Sequence, residues 1–200
     1  MSARSPYPLY AVLTLALHAQ GLGRSPGEVT RPGTEDIYAA IERVGWVQID
    51  TLQVVNRAQY LTLWSRLGAY DTSLLDKLLF DDGSTSPDNN RRLFEYWAHA
   101  ACIIPLTLYP HFMPRMRGHR HGANKWVSNW LAQPDHQQLI ARLLAAVRER
   151  GGSRPADFRT EKRAPGSWWN WDEAKIALEH LYNTGDLAIA NRVNFQRIYD

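Results

Sequence analysis

At 200 residues with 44% hydrophobic side chains, the chain is long enough to bury a core as one large domain or two small ones. A mean hydropathy of -0.41 and the want of any apolar run near about 18 residues argue against a membrane-spanning helix. Cys102 is the single cysteine, which rules out an intrachain disulfide and a cysteine-based zinc cluster.

The opening MSARSPYPLYAVLTLALHAQGL pairs an early arginine with an apolar stretch, as a secretory signal does. His18 and Gln20 interrupt the run and no small-x-small cleavage signature follows, so it reads as the first helix of a cytoplasmic protein. That helix is expected over 7–20, apolar at Leu9, Val12, Leu13, Ala16 and Leu17 and ended near Gly21 and Gly23. A linker with Pro26, Pro32 and Gly33 follows. Thr34 is the expected N-cap of a second helix carrying Ile37, Ala40, Ile41 and Val44, which stops at Gly45. Two helices around a turn resemble a helix-turn-helix unit.

WVQIDTLQVVNR (46–57) then sets Gln48 and Asp50 two apart inside an otherwise apolar stretch. In an extended segment such residues project from the same face, so an amide and a carboxylate converge on one small target. RAQYLTLWSRLG (57–68) reads as a helix, and Asp71 starts a shorter one through Leu74, Leu75, Leu78 and Leu79. DDGSTSPDNN (81–90) is a loop. LFEYWAHAACIIP is expected to pass from a strand into a short helix.

Between Asn89 and Pro134 the only acidic residue is Glu95, against Arg91, Arg92, Arg115, Arg117, Arg120 and Lys125, with His99, His111, His119 and His121 in the same span. Such a segment suits a phosphate backbone, which arginine's planar fork binds well; a solvated basic surface explains it equally. Of the 23 basic residues, 19 are arginine, which weighs little because codon bias produces the same excess.

The last quarter is the most legible. Asp135 with Gln138 resembles a capping box, ahead of a stripe at Leu139, Ile140, Leu143, Leu144 and Val147 that ends at Gly151 and Gly152. Arg154 to Phe158 fits a short second helix. Asp172 caps a third, with an apolar face of Ala174, Ala177, Leu178, Leu181 and Tyr182 and a stop at Gly185. DLAIANRVNFQRIYD reads as two short strands around a turn at Asn191–Val193.

Helix, helix, helix and hairpin in that order make a winged helix. The fold expected is therefore mostly α with short β-hairpins, an α+β arrangement of tandem winged-helix units. Residues 1–80 form the first unit with the QID segment, 81–134 a basic connecting region and 135–200 the second unit. The third helix of the second unit carries Glu173 and Glu179 against Lys175 alone, a poor face for phosphate, so that unit reads as scaffold.

VQIDTLQVVNRAQYLTLWSRLGAYD, LFEYWAHAACIIP, YPHFMPRM and the closing WWNWDEAKIALEHLYNTGDLAIANRVNFQRIYD, in that order, resemble the winged-helix crosslink-repair DNA glycosylases of the YcaQ/AlkX and AlkZ type. The resemblance covers nearly the whole chain, and Gln48–Ile49–Asp50 matches the carboxylate branch of the family's Gln–apolar–Asp or Gln signature. It implies a metal-independent, monofunctional enzyme without cofactor. Its partner would be double-stranded DNA carrying N7-alkylated purines or interstrand crosslinks, and the protein a monomer. Relatives of that kind continue beyond NFQRIYD, so the chain corresponds to the N-terminal half to two-thirds of the usual length. The family usually has an acidic residue after the histidine of the WAH segment, where this chain has Ala100.

The chemistry agrees. An N7-alkylguanine is cationic and leaves readily, and cutting its glycosidic bond builds positive charge on the sugar, which a fixed carboxylate stabilises. Asp50 would do this and accept a proton from water, with Gln48 holding the water or the sugar oxygen. By spacing alone the bland alternative wins: Asp50 caps a helix starting near Thr51, and Gln48 satisfies a buried backbone group.

Arg57 and Arg66 are candidates for phosphates or for surface ion pairs. Trp97 and His99 either line the lesion site or pack as a buried aromatic and a satisfied core histidine. The HRH run (119–121) lacks neighbouring ligands at metal spacing, and Trp168, Trp169 and Trp171 read as packing. Two rivals to a glycosylase stay open, a non-catalytic winged-helix DNA-binding protein (a regulator or inactive paralogue) and a protein-interaction scaffold.

Overall fold

The computed structural model describes residues 7–23, 31–50, 52–80, 91–158 and 173–200. The predicted loop 81–90, Asp172 and the three tryptophans at 168, 169 and 171 lie outside them. The architecture is mixed α+β, with eight helices and two small antiparallel sheets among the described residues. Two compact units divide the chain, Met1–Leu106 and Thr107–Asp200.

In the first unit, helix α1 (Leu9–Ala19) buries no residue, and its apolar face stays in solvent. Its C-terminal end is tied down: Arg43 donates to the His18 carbonyl and Arg66 to that of Gln20. Helix α2 (Thr34–Val44) buries Ile37, Tyr38 and Ile41. Its N-cap is Gly33 rather than the expected Thr34, because the Asp36 carboxylate accepts the Gly33 N–H at 2.9 Å and satisfies that end. Gly45, at φ 86°, takes the left-handed turn that redirects the chain from α2 into strand β1 (Val47–Gln48).

Helix α3 (Ala58–Leu67) buries Gln59, Leu63 and Leu67, and helix α4 (Ser73–Leu79) buries Leu75, Leu78 and Leu79. Asp71 stands just outside α4 and accepts the Ser73 N–H at 2.9 Å. Strands β2 (Leu93–Trp97) and β3 (Ala101–Pro105) complete a sheet of order β1-β3-β2. Here the expectation of a strand running into a helix fails. Ala98, His99 and Ala100 form a tight turn, with Ala98 N donating to Ala100 O at 2.9 Å, and β3 pairs with strands on both sides. Alanine's helix preference is weaker than a central strand's two ladders of hydrogen bonds and the burial of Cys102, Ile103 and Ile104. Arg92 braces the unit: its guanidinium pairs with Glu35 and lies 3.6 Å from the centre of the Tyr38 ring.

The second unit contains α5 (Tyr109–Arg120), α6 (Lys125–Leu131), α7 (Pro134–Arg150) and α8 (Glu173–Thr184), with strands β4 (Ile189–Val193) and β5 (Gln196–Tyr199). Asn124 caps α6 by accepting from Trp126 N and Val127 N. Asp135 sits inside the first turn of α7 and makes no capping bond, because Pro134 starts that helix where its missing N–H costs nothing. Helix α8 is the unit's centre. It buries Ala174, Ile176, Ala177, Leu178, Leu181 and Tyr182, and packs on α7, which buries Leu143 and Val147, and on α5, which buries Met116. Arg120 closes its far end through the Thr184 carbonyl (3.0 Å) and Asp186 (2.8 Å).

The β4–β5 turn falls at Asn194–Phe195 and not at Asn191–Val193. Both turn residues are left-handed (φ 48° and 66°), the geometry of a tight two-residue hairpin, whereas Asn191 lies within β4 beside a register shift. Arg192 holds the turn by donating to the Phe195 carbonyl at 2.7 Å. The Arg154–Phe158 segment forms a 3-10 turn over Pro155–Phe158.

Candidate active site

Alternation places the site residues. Val47 and Ile49 are buried at 2% and 8% exposure, so Trp46, Gln48 and Asp50 project from the opposite face of the same extended segment. Extended backbone rises about 3.3 Å per residue, which puts the Cα atoms of Gln48 and Asp50 about 6.6 Å apart. The ladder continues past β1: Ile49 N donates to Ala101 O at 2.8 Å, so the segment stays extended up to Asp50.

The β2–β3 turn returns over this face and brings His99 to it. Trp46 Nε1 donates to His99 Nδ1 at 3.3 Å, and His99 Nε2 lies 3.2 Å from Gln48 Oε1. An indole N–H only donates, so Nδ1 must be the acceptor and the imidazole proton sits on Nε2. That proton goes to the Gln48 carbonyl oxygen. The consequence is polarity at Gln48: its carbonyl is engaged by His99 and its NH2 group is presented as a donor. Trp46 was not singled out from sequence, although it shares the two-residue period of Gln48 and Asp50.

Asp50 is held at both its backbone and its side chain. Its N–H donates to Oε1 of the buried Gln59 at 3.4 Å, and its Oδ1 accepts the Leu52 N–H at 3.0 Å. The second contact is a local turn and no helix cap, since α3 begins only at Ala58. Oδ2 has no hydrogen-bond partner among the described residues. Gln59, 5% exposed, is a second residue that sequence reasoning passed over; a glutamine at the first turn of an amphipathic helix carries no local signal of such a role.

Several of the basic candidates already hold neighbouring groups. Arg66 donates to Gln20 O, Thr62 O and Ser65 Oγ, and burial pushes its pKa down. Arg92 pairs with Glu35, and Arg120 with Asp186. Arg91 reaches toward the Leu93 carbonyl, and Arg57 stands at the N-cap of α3. Arg115 and Arg117 on α5 and Lys125 at the start of α6 are exposed. Trp97 ends β2, paired across the ladder with Ala101, and is 37% exposed.

His119 belongs to the second unit, where burial first and Arg115 second lower its pKa. Among the described residues no group of three or more His, Cys, Asp or Glu side chains is arranged to hold a metal ion, and no helix is long and apolar enough to cross a membrane.

The family described as DNA glycosylase AlkZ-like matches the chain over residues 41–200, a span that takes in β1, Gln48, Asp50 and His99. No solved structure matches the chain.

Proposed function

Since the chain belongs to the AlkZ-like DNA glycosylase family, we propose that it hydrolyses the N-glycosidic bond of N7-alkylated purines in duplex DNA, including purines joined in interstrand crosslinks. The observation that carries this reading is the shared face of Gln48 and Asp50, with the Gln48 amide oriented by His99.

The positive charge of an N7-alkylguanine makes the base a neutral leaving group once the C1′–N9 electrons go to it. The sugar then carries oxocarbenium character. The Asp50 carboxylate, held in its turn by the Leu52 N–H before the reaction, would stabilise that charge. Water adds to C1′ and gives its proton to the Asp50 carboxylate, leaving an abasic site, the free base and one proton returned to solvent. Gln48 would hold that water or the ring oxygen through its NH2 group, the end that His99 does not occupy. Water as nucleophile makes the enzyme monofunctional, and the scheme calls for no metal or cofactor.

The rest of the chain supports duplex binding. We read the order α2, β1, α3, α4, β2, β3, with β1 on β3, as a winged helix with Ala98–Ala100 at its wing tip. We read α7, the single bridge of Ser153 to Tyr199, the 3-10 turn, α8, β4 and β5 as a reduced second copy of that order. We assign Arg57, Arg91, Arg115, Arg117 and Lys125 to phosphates, with Trp97 and His99 facing the lesion, and give Arg66, Arg92 and Arg120 a bracing role beside any phosphate contact.

The test is base release. Duplex DNA with one N7-methylguanine, and a second duplex with a nitrogen-mustard crosslink, are incubated with the protein and scored for free base, abasic sites and unhooked strands. Release from both supports the assignment. Tight, salt-dependent binding without release would make the protein a non-catalytic reader of DNA.

A further inference from the structure

Three apolar side chains project into solvent directly after the site carboxylate. Leu52 is 74% exposed, Val54 95% and Val55 84%, more than any other large apolar side chain among the described residues. Single exposed apolar residues are ordinary, but three within four positions beside a candidate site mark a surface that meets something.

The segment is tied to the Asp50 turn at its start. Leu52 N donates to Asp50 Oδ1 (3.0 Å), and Asp50 N donates to the buried Gln59 Oε1 (3.4 Å). At the far end Arg57 N donates to Asn56 Oδ1 (2.8 Å), and α3 begins at the next residue. The tip thus lies between β1 and α3 along the chain, and it shares a hydrogen bond with the carboxylate itself. Valine's branched side chain has few rotamers to lose on being buried.

We propose that the Leu52–Val55 tip is a wedge that enters the base stack of duplex DNA beside the alkylated purine and opens the step so that Gln48 and Asp50 reach the sugar. This rests on the glycosylase reading above. The occupant is argued from continuity: the tip is covalently and by hydrogen bond part of the Asp50 turn, so whatever Asp50 approaches, the tip meets as well. Apolar side chains inserted between base pairs unstack and kink duplexes, and do so most easily where a base is already damaged. A crosslinked base cannot be drawn into a closed pocket, so access gained by parting the stack from outside suits that substrate.

The test uses the full chain and a duplex with N7-methylguanine beside a 2-aminopurine, whose fluorescence rises on unstacking. Wild type and Asp50→Asn are expected to raise the signal alike, and Val54→Ser/Val55→Ser to leave it flat. The double variant should release base from the duplex at least about tenfold more slowly, yet from a single strand within about twofold of wild type, and Val54→Leu/Val55→Leu should restore the duplex rate. An equal signal and equal duplex rate in the serine variant would overturn the wedge while leaving the glycosylase intact. A rise in fluorescence that depends on the valines, with no base release by wild type, would support the wedge and sink the glycosylase. Neither signal nor release from wild type would overturn both.

Discussion

His99 Nε2 and Gln48 Oε1 lie 3.2 Å apart, although 51 positions separate the residues in the chain. Trp46, donating to the other ring nitrogen at 3.3 Å, makes His99 the donor in that pair. Replacing Trp46 by Phe keeps a ring and removes the donor. Nitrogen-15 spectra of the histidines are expected to show an Nε2–H tautomer for His99 in wild type and a mixture in Trp46→Phe. Base release should slow by about tenfold, the equivalent of one neutral hydrogen bond. An unchanged tautomer would remove Trp46 from the site.

Ala100 follows His99, and the β1–β3 register runs Val47↔Ile103 and Gln48↔Cys102. Two further steps of that register set Ala100 across from Asp50. Ala100→Glu would place a second carboxylate beside the first, and like charges favour the protonated form of one of them. The acid limb of the pH–rate profile is expected to move to higher pH than in wild type. A limb that does not move would show that the register does not extend to Asp50.

Asp76 of α4 accepts a hydrogen bond from Tyr60 Oη at 3.2 Å. Burial, followed by Asp76, pushes the Tyr60 phenol up to about 12, so it stays a donor. Burial raises the pKa of Asp76 too, against the opposing effect of the Tyr60 bond. A raised carboxyl contributes stability below its unfolded pKa of about 3.9 and loses it as pH rises through the folded value. Asp76→Asn keeps an acceptor for Tyr60 and does not ionise. Its melting temperature relative to wild type should therefore climb as pH goes from about 4 to 7. A flat or falling difference would contradict the sign.

Cys102 is fully buried in the central strand β3, and burial is the first cause that pushes its thiol pKa up. A buried, protonated thiol reacts slowly. Modification by a disulfide reagent should be at least about a hundredfold slower in the folded protein than in urea. Because Cys102 pairs with both Gln48 and Tyr96, its labelling rate reports opening of the strand that positions the site. Rapid labelling in native buffer would mean the sheet opens readily.

Much of this was legible in local pattern. The two-residue period around Gln48 and Asp50 and the glycines that end α2, α3, α7 and α8, all at positive φ, need only nearby residues to be read. What escaped depends on distant ones. The AHAA run reads as helix until β1 is known to pair with β3, and the grip of Trp46 on His99 exists only once that hairpin folds back. The basic segment shows the same limit: composition does not reveal that Arg92 already holds Glu35 or that Arg120 holds Asp186.

The most direct measurement is single-turnover release of N7-methylguanine from duplex DNA by wild type and by Asp50→Asn. The amide still accepts from Leu52 N through its carbonyl oxygen, so the turn and the affinity for duplex should survive. Release is expected to fall by about 10²–10⁴ with binding unchanged. A variant that binds and releases base like wild type would contradict the placing of the reaction at Asp50.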